Sequence, residues 1–237
     1  QVDVESAIAP EASVKAAIYS PADGQVNPTA LTKALVAVAQ ARGVTFCWDA
    51  EVTQLTMAGP RCMEVQTTAG DFPADWVVLS AGLGSSALTG FAAEPLELMP
   101  VLGQAMEIQL PQGLGHADFQ PVINGDDVHL VPLGAGRYWL GATVEFPPER
   151  GELAADAERF AEVRRGGERF VRAIAGAKVL KTWSGLRPRP VGQPAPVIKP
   201  LGDTDNVILA TGHYRNGVLL APATAQQLCE RLQQHDL

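Results

Sequence analysis

Two polar segments near the end of the chain contain residue types that could bind a ligand. Residues 212–217 read GHYRNG and lie between an apolar, strand-like run and a predicted helix. The glycines allow a close backbone approach, and Pro222 fits the first turn of that helix, whose first amide groups would be free and electropositive. These features suit a site for a flat or anionic ligand and, equally, a tight turn with polar side chains.

The second segment, residues 185–190, reads GLRPRP and places Arg187 and Arg189 directly before prolines. A proline restrains the residue before it to an extended backbone, so each guanidinium is presented from a stiff segment. Such a group is a good bidentate receptor for a carboxylate. With 26 acidic residues in the chain, an ordinary surface ion pair is the more frequent role of an arginine.

A third pattern, GLGSSA at residues 82–87, matches G-x-G-x-x-A after an apolar strand, as in dinucleotide-binding turns. Pro95 and Pro100 follow too soon for a βαβ unit, which favours a plain strand-to-loop turn. The four histidines lack metal-ligand spacing, so no metal site is expected. Neither G-x-S-x-G nor a carboxylate pair stands out, so an enzyme built on this chain would leave its chemistry to a cofactor.

Composition argues against several classes of protein. The chain has 237 residues, 46% hydrophobic and 19% charged, as expected of a globular protein with a sizeable core. A net charge of -8 without a basic stripe argues against nucleic-acid binding. No apolar run approaches the roughly 20 residues of a membrane span, so no membrane partner is expected. Three scattered cysteines predict no disulfide, and a cytoplasmic location is expected.

The patterns along the chain predict an α/β fold mixed with α+β features. Asn27 and Pro28 start a helix that runs to about Arg42 and is closed by Gly43. The remaining predicted elements are short strands at 14–19, 44–48, 51–57, 62–67 and from Trp76, longer antiparallel strands between 99 and 146, an amphipathic helix over 152–175, and a final strand followed by a helix over 222–234. The middle of the chain reads as an insertion, which predicts two intertwined domains.

Six segments, in this order, resemble the FAD-dependent amine and D-amino-acid oxidase family, and within it the glycine oxidases of the thiamine-biosynthesis type: SPADGQVNPTALTKAL, VVLSAGLGS, PVLGQAMEI, VHLVPLGAGRYWLGAT, WSGLRPRPVGQPAPVI and ATGHYRNGVLLAPATA. The resemblance implies a partial FAD-binding α/β domain (21–95 and 190–237) interleaved with an antiparallel-sheet substrate domain (1–20 and 96–189). The family's G-x-G-x-x-G unit would lie upstream of Gln1. Since the sequence also lacks an initiator Met, we expect it to be the C-terminal portion of a longer enzyme.

The resemblance also assigns site residues. Arg187 would hold the substrate carboxylate, and Arg215 would lie at the active site beside the flavin. His129 stands where relatives carry an aromatic hydroxyl and is the third catalytic candidate. The backbone of residues 212–219 would face the isoalloxazine ring, and Val52 would meet the adenine. The implied cofactor-binding set is Val52, Gly82, Gly212, His213, Arg215, Asn216, Gly217, Val218 and Leu219.

The reaction implied by the resemblance is oxidative deamination of glycine or a small D- or N-methyl amino acid. Hydride transfer to a noncovalent FAD would give an imine, and O2 would then yield hydrogen peroxide. Two alternatives stay open: an amino-acid dehydrogenase with another electron acceptor, and a non-catalytic fragment that needs a separate N-terminal FAD-binding half. The sequence decides neither the preferred amino acid nor whether the chain forms a homo-oligomer.

Overall fold

The computed structural model of the chain describes residues 16–116, 118–149 and 152–235. The chain divides into two compact units: unit 1 comprises residues 1–26 and 101–186, and unit 2 comprises residues 27–100 and 187–237. Each unit is therefore built from two separate stretches of sequence. The roles and boundaries of the cofactor and substrate domains given above stay a prediction.

The helices and strands follow one another in a mixed order. In chain sequence they are α1 Pro28–Ala41, β1 Val52–Ala58, β2 Arg61–Thr67, β3 Gly70–Pro73, β4 Val77–Leu79, α2 Ser85–Leu88, β5 Leu98–Gln109, β6 Ile123–Gly125, β7 Val128–Gly134, β8 Arg137–Gly141, α3 Ala157–Phe170, β9 Lys178–Pro190, β10 Val197–Pro200, β11 Val207–Thr211 and α4 Gly217–His235.

Unit 1 is organised around a five-stranded sheet in the order β6-β7-β8-β5-β9. The pairs β6–β7, β7–β8 and β5–β8 are antiparallel, which confirms the predicted antiparallel strands. Alternate side chains of these strands form a core with the end of α3, in which Leu130, Leu140 and Ile174 are fully buried. The period of two along each strand directs these side chains to one face.

A buried carboxylate links the sheet of unit 1 to the start of α3. Glu145 accepts hydrogen bonds from the Gln104 side-chain amide (2.8 Å), the Asp156 main-chain amide (2.9 Å) and the Thr143 hydroxyl. Asp156 in turn caps α3, since its side chain accepts from the amides of Glu158 and Arg159. This cap makes the helix begin at Ala157, later than the predicted 152, and a 3-10 turn follows it at Arg172–Gly176.

Unit 2 contains two three-stranded sheets. One is the antiparallel meander β1-β2-β3, and the other has the order β10-β11-β4, with β11 antiparallel to β10 and parallel to β4. All five residues of β11 are buried, so this strand lies at the centre of the unit. The mixture of helices with parallel and antiparallel strands confirms the predicted fold class.

Local predictions at the helix and strand ends had different outcomes. Helix α1 begins at Pro28 with the Asn27 side chain accepting from the Ala30 amide, and Gly43 follows it at φ +88°, as predicted. The strand predicted at 44–48 is wrong, because no strand in the described part of the chain pairs with it. Residues 16–19 form no strand either, and 14–15 lie outside the described residues. Strand β9 was not predicted, because its prolines break the usual pattern.

Among the described residues, no helix is both long and apolar enough to cross a lipid bilayer.

We predict that Asn206 holds unit 2 together. This fully buried side chain accepts from the Cys62 amide (2.8 Å) and donates to the carbonyls of Cys62 and Asp75 (both 2.8 Å), tying β2 to the strand β11. Asn206→Ala leaves buried polar groups unpaired, so the free energy of unfolding should fall by about 2–4 kcal/mol in urea titrations. The exposed Gln54 offers a control, since Gln54→Ala should change it by less than about 0.5 kcal/mol. Equal midpoints for the two variants would contradict the prediction.

Candidate functional site

The loop after β11 is held against the proline-rich end of β9. Gly212 adopts φ +67°, and a Cβ built there would lie 2.8 Å from Pro190 Cγ and 3.3 Å from Leu98 Cδ2. Both the left-handed backbone and the close approach therefore require glycine. Gly212 was predicted to let a ligand approach the backbone closely. In the structure, the group that lies this close to Gly212 is Pro190 of the same chain.

Tyr214 makes the second contact between the loop and β9. Its main-chain amide donates to the Pro188 carbonyl (3.2 Å), and its ring lies under the Arg189 guanidinium, 6.0 Å from the ring centroid. Its φ of +53° is rare for a bulky side chain and persists only where surrounding contacts impose it. The Tyr214 side chain was not among the predicted site residues, although its backbone belongs to the 212–219 segment. Its place between a histidine and an arginine, away from any apolar run, was the available signal.

Two arginines of the predicted site lie close enough to repel each other. Burial lowers the pKa of the half-buried Arg187, the positive charge of Arg215 lowers it further, and Tyr214 acts in the opposite direction. Arg187 keeps its positive charge at neutral pH despite this lowering of its pKa, because a guanidinium is too basic to lose its proton in a protein. An anion bound beside both would relieve this repulsion, so the pair has the electrostatics of an anion receptor.

Helix α4 starts directly behind these arginines in the sequence. The main-chain carbonyl of Asn216 accepts the first hydrogen bond of the helix, from the Leu220 amide (2.9 Å). The helix therefore begins at Gly217 and not near Pro222. Pro222 therefore lies inside α4, which corrects the prediction that it occupies the first turn. Pro222 has no amide hydrogen to donate, but it lies in the second turn of α4. It therefore does not prevent the bond between Leu220 and Asn216 from starting the helix earlier.

The first turn of α4 is a donor surface. The amides of residues 217–219 precede the first intrahelical hydrogen bond, and the turn carries no acidic side chain. Val218 and Leu219 are exposed, Leu219 to 78%. A helix start of this kind attracts negative charge, and its exposed apolar side chains can cover a flat ring.

His213 fixes the loop onto the body of α4. Its Nε2 lies 2.9 Å from the hydroxyl of the buried Thr224, and burial lowers the pKa of the imidazole from its ordinary 6.5. The neutral ring is therefore favoured in the folded state. The structure gives His213 a positioning contact within the protein, in addition to its predicted place near a cofactor.

Gly82 lies beside the C-terminal end of β11, the strand that leads into the 212–217 loop. The Thr211 hydroxyl donates to the Gly82 carbonyl (3.4 Å), which places the GLGSSA turn beside the start of the 212–217 loop. Gly82 has φ +56°, and a Cβ built on it meets no atom within 4 Å. The segment forms a 3-10 turn and the four-residue helix α2, as expected of a strand-to-loop turn.

The remaining two predicted residues lie in other elements. Val52 is the first residue of β1 in the meander of unit 2, opposite Thr67. His129 belongs to unit 1, where it lies on β7 and its Nδ1 is 2.7 Å from Asn124 Oδ1 on β6. The structure thus brings together Arg187, Arg215, Gly82 and the 212–219 segment inside unit 2. The roles predicted for these residues, and for Val52 and His129, stay predictions.

Comparison with known proteins identifies the family of the chain. A profile of the FAD dependent oxidoreductase family, DAO, matches residues 3–231. The chain belongs to this family. It is 34% identical over 213 residues to the bifunctional protein ThiO/ThiG of Synechocystis, covering 87% of this chain and 30% of that protein. It is 31% identical over 222 residues to the glycine oxidase of Pseudomonas putida, covering 92% of this chain and 58% of that enzyme.

Two solved structures have the same fold as this chain. The glycine oxidase of Geobacillus kaustophilus superimposes with a TM-score of 0.77 at 25% identity, over 90% of this chain and 56% of that one. The L-proline dehydrogenase of P. horikoshii gives a TM-score of 0.79 at 19% identity, over 91% and 57%, which shows the fold alone. The chain therefore spans little more than half the length of the glycine oxidases that it matches.

The residues present fit the family's cofactor, FAD. The free amides of residues 217–219 suit the electron-rich edge of a flavin ring, and the open glycine backbone at Gly82 leaves room for close approach. Val218 and Leu219 offer apolar cover beside these donors. The described part of this surface thus combines the amide donors and the apolar cover that a flat, electron-accepting ring requires.

We predict that the contact at Gly212 is a packing constraint. Gly212→Ala should destabilise unit 2 by about 1–3 kcal/mol beyond the cost of the left-handed backbone, because the new methyl group overlaps Pro190. Gly202→Ala is the matched control, since Gly202 also has a positive φ (+47°) but its nearest neighbour to a Cβ is Ala92 Cβ at 4.0 Å. Urea unfolding of both variants separates overlap from backbone strain, and equal losses would refute the packing constraint.

We also predict an acid sensitivity that originates at His213. Because burial depresses its folded pKa below 6.5, the unfolded chain takes up a proton more readily as the pH falls below that value. The stability of unit 2 should therefore decrease on the acid side of pH 6.5, and His213→Gln should reduce that decrease. Thr224→Val removes the hydroxyl partner but keeps the imidazole, so it should retain the pH dependence. Unfolding midpoints between pH 5 and 8 measure both, and identical profiles for His213→Gln and wild type would exclude His213 as the source.

Proposed function

We propose that this chain carries the flavin-facing and carboxylate-binding portion of a glycine-oxidase-type enzyme. The observation that carries the proposal is the pairing of two guanidiniums, Arg187 and Arg215, with the acid-free helix start at residues 217–219 in one compact unit. An anionic substrate and an electron-accepting ring each find a suitable partner there. Membership of the FAD-dependent oxidoreductase family and the glycine oxidases among its relatives support this proposal.

In the proposed site, Arg187 binds the substrate carboxylate. Pro188 restrains the backbone at Arg187, and the Tyr214 amide holds the Pro188 carbonyl, so the guanidinium is presented from a segment held at the residue that follows it. A charge-assisted bidentate bond of this kind orients the substrate as well as binding it. Arg215 adds a second positive charge to the same region.

The two arginines also favour the reactive form of the substrate amine. A positive charge nearby disfavours an ammonium, so Arg187 and Arg215 lower the pKa of a bound amino group and help to hold it neutral. The amides of residues 217–219 stabilise negative charge on a ring placed against them. When bound, FAD supplies the two-electron acceptor for oxidation of the substrate's carbon–nitrogen bond.

We further assign unit 2 to the FAD-binding domain and unit 1 to the substrate domain. The candidate donors of unit 2 support the first assignment, and the antiparallel sheet of unit 1 supports the second. In this assignment His129 stays the third catalytic candidate, at the position where relatives are expected to carry an aromatic hydroxyl. Glycine or a small D- or N-methyl amino acid is the proposed substrate, O2 the proposed oxidant and hydrogen peroxide the proposed product. The cytoplasmic location expected from the cysteines stays a prediction.

The first test is an FAD titration of the chain, followed by flavin absorbance and fluorescence, and then anaerobic addition of glycine. Binding followed by bleaching of the flavin is the expected result. The same titration is repeated with the chain joined to the portion of Pseudomonas putida glycine oxidase that it does not span. Absence of flavin binding in both forms would contradict the proposal. Oxygen consumption against dye reduction then distinguishes an oxidase from a dehydrogenase.

Arg187→Ala gives the residue-level prediction in whichever form is active. Loss of one charge-assisted pair of about 1.5–3 kcal/mol should raise the KM for glycine roughly 10- to 150-fold. Arg42→Ala is the control, because Arg42 is an exposed arginine of the same unit at the end of α1 and should leave KM unchanged. A KM for Arg187→Ala equal to that of the control would remove Arg187 from the carboxylate site.

A further inference from the structure

A cleft of unit 2 lies at the amino ends of the parallel strands β4 and β11. Its volume is about 760 Å³, and small-molecule sites ordinarily have roughly 300–1,000 Å³. Its lining includes Trp76, the residue before β4, and Thr204 and Asp205 in the turn before β11. The 212–217 loop follows the carboxyl end of β11, so this cleft lies at the other end of that strand. We call it the amino-end cleft.

The lining of the amino-end cleft carries both signs of charge. Arg61 and Arg231 contribute guanidiniums, and Asp75 and Asp205 contribute carboxylates. Among the ion pairs of the described residues, none includes any of these four side chains. A ligand with one sign of charge would therefore meet as many repelling groups as attracting ones. A dipolar ligand can be attracted by both kinds of group, so the charges favour a zwitterion.

The remaining lining of the amino-end cleft is largely apolar. It contains the buried residues Val207 and Ile208, the exposed Pro200 and the half-buried indole of Trp76. An indole offers a flat surface against which an aromatic ring can pack, and the aliphatic side chains add apolar contact area. The cleft therefore suits a zwitterion that also carries an aromatic ring.

Main-chain hydrogen bonds hold the walls of the amino-end cleft in place. The Asp75 carbonyl accepts from the buried Asn206 side chain (2.8 Å) and from Arg61 Nη2 (3.3 Å). The Asp205 amide donates to the Pro60 carbonyl (2.9 Å). The two segments that carry the carboxylates are thus fixed before a ligand binds, which lowers the entropic cost of binding.

We propose that the amino-end cleft binds an aromatic α-amino acid in its zwitterionic form. The guanidiniums of Arg61 and Arg231 attract its carboxylate, and the two aspartates attract its ammonium group. Its ring packs on the apolar part of the lining. This site is separate from the proposed substrate site, because Arg187 is not among the described residues that line the cleft. The inference does not rest on the proposed function.

Isothermal titration of the full chain with L-phenylalanine tests the chemistry of the ligand. Hydrocinnamate lacks only the ammonium group, phenethylamine lacks only the carboxylate, and L-alanine keeps both charges without the ring. L-Phenylalanine should bind, and each analogue should bind at least about tenfold more weakly, because each loses one kind of contact. Absence of L-phenylalanine binding at millimolar concentrations, or an analogue that binds as tightly, would overturn the proposal.

Two variants locate the site within unit 2. Arg231→Met and Asp205→Asn each remove one charge from the cleft, and each should weaken L-phenylalanine binding about tenfold. Arg42→Met is the matched control, since Arg42 is an exposed arginine of the same unit outside the cleft, and it should change binding less than about twofold. Asp205 is exposed, so Asp205→Asn keeps the test valid if Arg231→Met disturbs folding. Affinities equal to that of the control would overturn the proposal.

Two further titrations distinguish this site from its alternatives. Arg187→Ala should leave the affinity for L-phenylalanine unchanged, and a loss of binding would instead place the amino acid at the proposed substrate site. The chain joined to the portion of Pseudomonas putida glycine oxidase that it does not span should bind L-phenylalanine as the chain alone does. Loss of binding in the joined protein would show that polypeptide covers the cleft there, which would overturn the proposal.

Discussion

The contact of the 212–217 loop with the end of β9 is the constraint on which the candidate site depends. Gly212 lies against Pro190, and the Tyr214 amide bonds the Pro188 carbonyl, so two segments 20 or more residues apart in sequence are held at fixed spacing. Arg187 and Arg215 are attached to either side of this contact. Their mutual repulsion is sustained because the backbone, and not the side chains, brings them together. Two positive charges are thereby held in one region of unit 2 before any ligand arrives.

This contact is supported from the interior of unit 2. Strand β11 is buried at all five positions and leads directly into the loop, and Asn206 anchors its start to β2 and to Asp75. The loop continues into α4, where His213 meets Thr224. The position of the helix start therefore follows from a rigid strand on one side and a side-chain anchor on the other. Binding groups carried by such supports lose little entropy when a ligand binds.

The same unit combines a well-packed centre with an apolar surface that nothing in its described residues covers. Core residues such as Leu201, Val207 and Leu209 are almost fully buried, whereas α1 has no buried residue. The contrast follows from the strand and helix content: the unit has one buried central strand but too few parallel strands to form two covered faces. Unit 2 thus carries both the candidate amide donors of residues 217–219 and the exposed apolar side chains of α1.

The sequence by itself determined the elements whose signals are local. The Asn27–Pro28 helix start, the antiparallel strands of unit 1 and the GLRPRP and GHYRNG motifs could all be read from residue types and spacing, because capping, alternation and proline restraint act over a few residues. Only the tertiary structure decided the rest. Residues 44–48 have strand composition, but no strand among the described residues pairs with them. Helix α4 begins at Gly217 because the Asn216 carbonyl accepts from the Leu220 amide, and Tyr214 gains its role from Pro188 and Arg189. Each of these depends on a neighbour that spacing along the chain does not reveal.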